Sequence, residues 1–300
     1  MKKKLSMMIL MLGLIVGGLF TSATYATTRN GVTCGLFDSI DEPGAIQWPV
    51  NGNLYYCGDT PTSDATGVSV VWSAAQGATQ RVVGAQVVPF LRQAFTATGV
   101  EVYVFDTVGD FEQYFAYTFT PPPFASTADI AGFTAKPGQV ASHPGPFTAI
   151  FQHSPSINSN PKRLLLIAQT TNHELGHEMD RVYLYPSGAL APKISASQNY
   201  LKAVNLDIAY VNQLTCLQVF GGTGLSSSVI NSVCSSNSTN WMRMRSLWPY
   251  DTSADEFFAN VFAADSPNDA VNEPLGAIIG NDFSHTVQYE RGLRTGTGKP

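Results

Sequence analysis

The sequence is short of charge, of histidine and of cysteine. Only 13% of its 300 residues are charged, and only five are His. Seventeen basic residues are outnumbered by 22 acidic ones, and three of the Lys are confined to positions 2 to 4. Without those three, 14 basic residues face 22 acidic ones, a net charge of −8. A sparse, acidic surface argues against nucleic acid or anionic lipid as the partner. The four cysteines form no C-x-x-C pair, so a cysteine-based zinc site is not expected. No internal repeat or low-complexity linker divides the chain.

Long apolar runs are also missing, with one exception. Residues 5 to 20 (LSMMILMLGLIVGGLF) follow Lys2, Lys3 and Lys4 and precede small residues, with Ala23 and Ala26 as candidate cleavage positions. This is the layout of a secretory signal peptide over 1–26. The run is shorter than the roughly 20 residues that span a bilayer. The expected location is therefore secreted or extracellular, with the periplasm as a variant and no membrane partner once the signal is removed. Cys34, Cys57, Cys216 and Cys234 all fall after that segment. An even count in an exported chain suggests two disulfides. Three pairings are possible, and Cys34–Cys57 with Cys216–Cys234 is favoured because each pair sits within a loop-rich stretch.

The remaining chain, 27–300, reads as a single domain of class α+β. A strand-containing N-terminal lobe is expected over 27–160 and a mainly helical C-terminal lobe over 161–300. Residues 27 to 68 read as loops with short strands. Residues 80–97 carry helical periodicity, kinked at Pro89, and a short helix is expected around 109–117. Strands are expected at 100–106 and 146–152, the latter either a cleft edge or an ordinary core strand. Pro121-Pro122-Pro123 reads as a rigid loop. Asn160 and Pro161 signal a helix start, and Pro186 with Gly188 a stop after Tyr185. Further helices are expected over 195–215, from Thr252 or Ser253 to Ala264, and within 275–291, with a loop and a short helix over 221–240. Asn237-Ser238-Thr239 is a sequon.

The 161–185 helix carries His173-Glu174-Leu175-Gly176-His177. Four residues along a helix return to nearly the same face, so both imidazoles can reach one ion. Zinc takes two such nitrogens, a third protein ligand and a water. Glu174, one step on, can take a proton from that water, the usual logic of H-E-x-x-H. Gly176 inside a helix costs roughly 1 kcal/mol relative to Ala, tolerable if another element packs closely there. A third His at the metzincin spacing would fall at 183, which is Tyr183, so that class is excluded. Asp180 reads as an orienting partner or a paired charge. Glu256, in Asp255-Glu256-Phe257-Phe258-Ala259-Asn260, is the better third ligand. It heads an apolar helix, where a buried acid needs a partner. The competing role is a capping box with Ser253. Asn260 could hydrogen-bond a metal-bound His. His143, His153 and His285 read as loop or surface residues.

HELGHEMD, then Tyr250, then DEFFANVFA resemble the anthrax lethal factor type of zinc peptidase and its relatives, the Pro-Pro endopeptidases. The resemblance covers roughly 165–265. It implies a zincin-like fold, a mixed-sheet lobe bearing the active-site helix, and one Zn2+ per chain held by His173, His177 and Glu256. It also implies Glu174 as base and Tyr250 as the group that stabilises an oxyanion. Tyr250 could equally be a packed aromatic in WMRMRSLWPY; Tyr183 and Tyr185 are weaker rivals. The chain differs from the family in a longer gap between the motif halves, in Asn260 where an acid can stand, and in the Tyr250 spacing. The expected function is a monomeric, secreted zinc endopeptidase acting on protein or peptide. The alternatives are a binding protein on the same scaffold with a non-catalytic metal, or a zinc hydrolase of a non-peptide bond. Residues 27–80 could be a removable pro-segment.

Overall fold

A computed structural model describes residues 26–36, 53–58, 65–83, 101–120, 129–182, 193–265 and 274–295. The signal segment, the expected kink at Pro89, the Pro121–Pro123 run, Tyr183, Tyr185, Pro186 and Gly188 lie outside the described residues. The fold is α+β. Six described strands form one mixed sheet: β1 (Ala26–Arg29), β2 (Val32–Leu36), β3 (Asn53–Gly58), β4 (Glu101–Phe105), β5 (Gly132–Ala135) and β6 (Phe147–Phe151). They are ordered β1-β2-β3-β4-β6-β5. Strands β3, β4 and β6 run parallel, while β1–β2, β2–β3 and β5–β6 pair antiparallel. Cys34 and Cys57 face each other across β2 and β3 and are bonded, and Cys216 is bonded to Cys234. Both favoured pairings are thus present.

Among the described residues the helices are α1 (Ala65–Val83), α2 (Val108–Phe115), α3 (Pro155–Asn158), α4 (Arg163–Val182), α5 (Gln198–Val211), α6 (Cys216–Phe220), α7 (Ser227–Cys234), α8 (Asn240–Leu247), α9 (Ala254–Ala264), α10 (Pro274–Asp282) and α11 (Ser284–Thr295). Among the described residues no helix is long and apolar enough to cross a membrane.

The sheet has a packed layer on each face. On one face Tyr103, Phe105, Phe147 and Phe151 pack with Phe111 and Phe115 of α2. On the other, Leu54, Val104 and Ile150 pack with Val68, Val71 and Trp72 of α1 and with Ile167, Leu175 and Met179 of α4. That second core continues through Phe257, Phe258, Val261 and Phe262 of α9 into α10 and α11. Helix α4 therefore lies in the middle of the molecule, between the sheet and α9.

Several boundaries differ from expectation. Helix α1 covers residues read as loop up to 68, residues given no element, and the first four of the helix expected over 80–97. Its stretch ATGVSVVWSAA holds four β-branched residues and a Gly, which are weak helix formers. Its helical state comes from burial of Val68, Val71, Trp72, Ala75 and Ala78, spaced three or four apart. The motif helix begins at Arg163; Asn160 still serves its start, its Oδ1 accepting the Lys162 N–H at 2.9 Å. Strand β6 is not the cleft edge. It lies between β4 and β5, every residue buried, and the short β5, unread in the sequence, takes the edge position. The last helix is broken in two at Phe283.

Candidate metal centre

Helices α4 and α9 cross at Gly176. A Cβ added there would lie 2.8 Å from the Ala259 Cα and 3.1 Å from the Phe262 Cβ. The glycine is what lets the two backbones approach, and that approach brings Glu256 over the two histidines. Ser253 starts α9 without a side-chain cap bond, its Oγ donating instead to Asp255 Oδ1 at 3.0 Å. Glu256 is thus free of capping. Its Oε2 lies 3.1 Å from His173 Nε2 and 3.2 Å from His177 Nε2. These three ligand atoms all lie within 4.8 Å of one another, and together they could hold a metal ion.

The surroundings orient the group. His173 Nδ1 lies 2.8 Å from Asn260 Oδ1, so the ring donates there and turns Nε2 toward Glu256. Asn260 in turn donates its Nδ2–H to the Asp251 carbonyl at 3.3 Å. Burial disfavours a charged His173, but its bond to Glu256 and the Glu174 and Glu256 charges outweigh this and push its pKa up to about 9. Burial likewise works against the Glu256 carboxylate, yet the two imidazoles hold its pKa well below the usual carboxylate range. A negative carboxylate between two imidazoles is the charge pattern a cation would complete.

Glu174 is buried beside the edge strand. The Thr134 Oγ1 lies 2.6 Å from its Oε2 and 2.9 Å from its backbone oxygen. A Cβ on Gly132 would stand 2.7 Å from the Glu174 Cγ and Oε1, so only a glycine admits the carboxylate there. Glu174, His173 and Glu256 share a cavity of about 680 Å³ with Gly132 of β5, with Ile130 and Ala131 just before it, and with Trp248, Tyr250 and Asp251. Tyr250 is 44% exposed, so it stands at the cavity wall rather than in the core.

Asp180 does not serve a histidine. Its carboxylate accepts the Ser195 N–H at 2.7 Å and the Ser195 hydroxyl at 2.8 Å, tying the segment before α5 to α4. His143 pairs with Glu101 at 2.6 Å, His153 sits 3.7 Å from Asp106, and His285 bonds Asp207 at 2.7 Å; all are away from the metal group. Thr134 and Gly132 escaped the sequence reading. The only signal for them is the pairing of β5 with β6, which a four-residue strand does not announce. No protein-family model, curated protein or solved structure matches this chain.

Proposed function

We propose that this chain is a secreted zinc endopeptidase with a zincin-like fold. The observation that carries the reading is convergence. Glu256, 79 residues beyond His177, meets both motif histidines, while Glu174 lines the same cavity. The donor set fits zinc in number and type. Three ligands about 2.1 Å from one ion at tetrahedral angles would stand roughly 3.4 Å apart, close to the 3.1 and 3.2 Å separations of the apposed pairs. The Asn260 bond to His173 Nδ1 supports the same assignment, since metal-bound imidazoles usually donate through their other nitrogen.

A bound zinc ion supplies Lewis acidity, acidifying a water and polarising a carbonyl. Glu174 would accept a proton from a water held at such an ion and return it to the leaving amine. Its carboxylate is kept in place by Thr134 and the bare backbone of Gly132. Tyr250 is the donor for the oxyanion of the tetrahedral intermediate. The edge of β5 offers backbone groups along the cavity, and an extended peptide adding to that edge would present its carbonyls to the site. This favours a peptide over a small ester. The two disulfides fit an oxidising compartment, and the leader accounts for reaching it.

A diverse peptide library incubated with zinc-loaded protein tests the proposal, with Glu174→Ala as control. Cuts made by wild type and absent from the variant are expected. Equal peptide patterns overturn the peptidase reading, in favour of a binding protein, or of a non-peptide hydrolase if esters alone are cleaved.

A further inference from the structure

The sheet face that packs on α4 is apolar except where β5 and β6 meet. Alternation along β6 sends Phe147, Ala149 and Phe151 to the α2 side and Thr148 and Ile150 to the α4 side. On β5 the α4-facing positions are Gly132 and Thr134. Thr134 and Thr148 are register partners, and both are buried. Valine has nearly the same shape, a comparable liking for strands and no hydroxyl to desolvate. Two buried threonines side by side on a helix-facing surface therefore need a reason in their hydroxyls.

That reason is visible in the geometry. Thr148 Oγ1 is 3.2 Å from Thr134 Oγ1, and Thr134 Oγ1 is 2.6 Å from Glu174 Oε2. A hydroxyl has one proton to give and can accept as well. With Thr148 donating to Thr134, the Thr134 proton is left for Glu174, whose Oε2 at 2.6 Å is nearer than its backbone oxygen at 2.9 Å. A carboxylate oxygen accepts, so the chain runs from Thr148 through Thr134 to Glu174. Hydrogen bonds to a charged acceptor are among the stronger ones, and neighbouring bonds in a chain reinforce each other. Gly132 closes the other side, its backbone against Oε1 and Cγ.

We infer that Thr134 is the positioning residue of Glu174, its hydroxyl, supported by Thr148, fixing the carboxylate in the cavity beside the metal ligands. The inference rests on the reading of Glu174 as base. It makes β5 serve twice, its edge facing the cavity and its inner face aiming the proton acceptor.

The test compares zinc-loaded wild type with Thr134→Val, Thr134→Ser and Thr148→Val on a peptide that wild type cleaves, with Glu174→Ala alongside. A small misplacement of a reacting group costs on the order of a hundredfold in rate, so Thr134→Val should lower kcat by about ten- to a hundredfold. KM and zinc content should stay at wild-type levels. Thr134→Ser keeps the hydroxyl and should recover most of the loss, and Thr148→Val should show a smaller defect than Thr134→Val. A crystal structure of Thr134→Val should show the Glu174 carboxylate turned from its wild-type position. Wild-type kcat in Thr134→Val while Glu174→Ala is inactive overturns the positioning role and leaves the base intact. Equal defects in Thr134→Val and Thr134→Ser also overturn it, since packing and not the hydroxyl would then matter. An unmoved Glu174 in the Thr134→Val crystal overturns it without reference to activity. Equal cleavage by wild type and Glu174→Ala removes the base, and this inference falls with it.

Discussion

His173 decides how the centre responds to pH. Its ordinary pKa of 6.5 rises to about 9 in the metal-free fold. A raised pKa means that the protonated ring stabilises this fold fully below about 6.5 and loses that effect as pH climbs through 9. Glu256 works in the opposite direction, its stabilisation present above its ordinary 4.5 and fading as the solution becomes acid. The proposed zinc ion needs the neutral imidazole, so at pH 7 its binding would expel the His173 proton. Zinc titration calorimetry in buffers of different ionisation enthalpy should therefore show about one proton released per zinc at pH 7, with affinity rising about tenfold per pH unit toward pH 9. Proton release of zero would contradict the placement of His173 as a ligand. At this scale the sequence was most readable where one helix carries both residues. The spacing of His173 and His177 puts them on one face regardless of the rest of the fold. Glu256 was readable because a carboxylate ahead of four buried apolar residues calls for a partner. Thr134 was not, since its meaning depends on which strand lies opposite Thr148.

Between elements, the contact of α4 with α9 holds the ligand set together. Gly176 sits where the α9 backbone passes, and the atom its Cβ would strike is the Ala259 Cα, which cannot swing aside. Gly176→Ala should gain roughly 1 kcal/mol of helix propensity and lose more through the forced separation. Overpacking of this kind costs about 1–3 kcal/mol, and moving α9 also moves Glu256. Urea unfolding should show a net loss of stability, and zinc should bind more weakly. A variant more stable than wild type, with full zinc affinity, would show that the helices are not in register at this point. Gly176 was noticed in the sequence as an anomaly that close packing would excuse, and α9 supplies that packing. Helix α1 was missed for the opposite reason. Its residues favour helix weakly, and only its burial against α4 and β3 forms it. Strand β5 is too short for alternation to register, so 146–152 stays open in the sequence between a cleft edge and a core strand; the structure makes it the core strand and gives the edge to β5.

The described residues form one sheet with a core on each face, and the larger core runs from α1 through α4 and α9 to α11. The metal group lies where the sheet edge, α4 and α9 meet. Helix α1, from the first half of the chain, packs on the same side of the sheet as the later helices. Cysteine pairing was readable because each pair closes a local segment, 23 and 18 residues apart. In the proposed centre three side chains from two helices hold one zinc ion and a fourth does the proton work. The direct measurement is zinc content and peptide cleavage for wild type, Glu256→Ala and Glu174→Ala purified side by side at pH 7. The expected result is one zinc and cleavage in wild type, one zinc and no cleavage in Glu174→Ala, and neither in Glu256→Ala. Full zinc content in Glu256→Ala, or undiminished cleavage by Glu174→Ala, would contradict it.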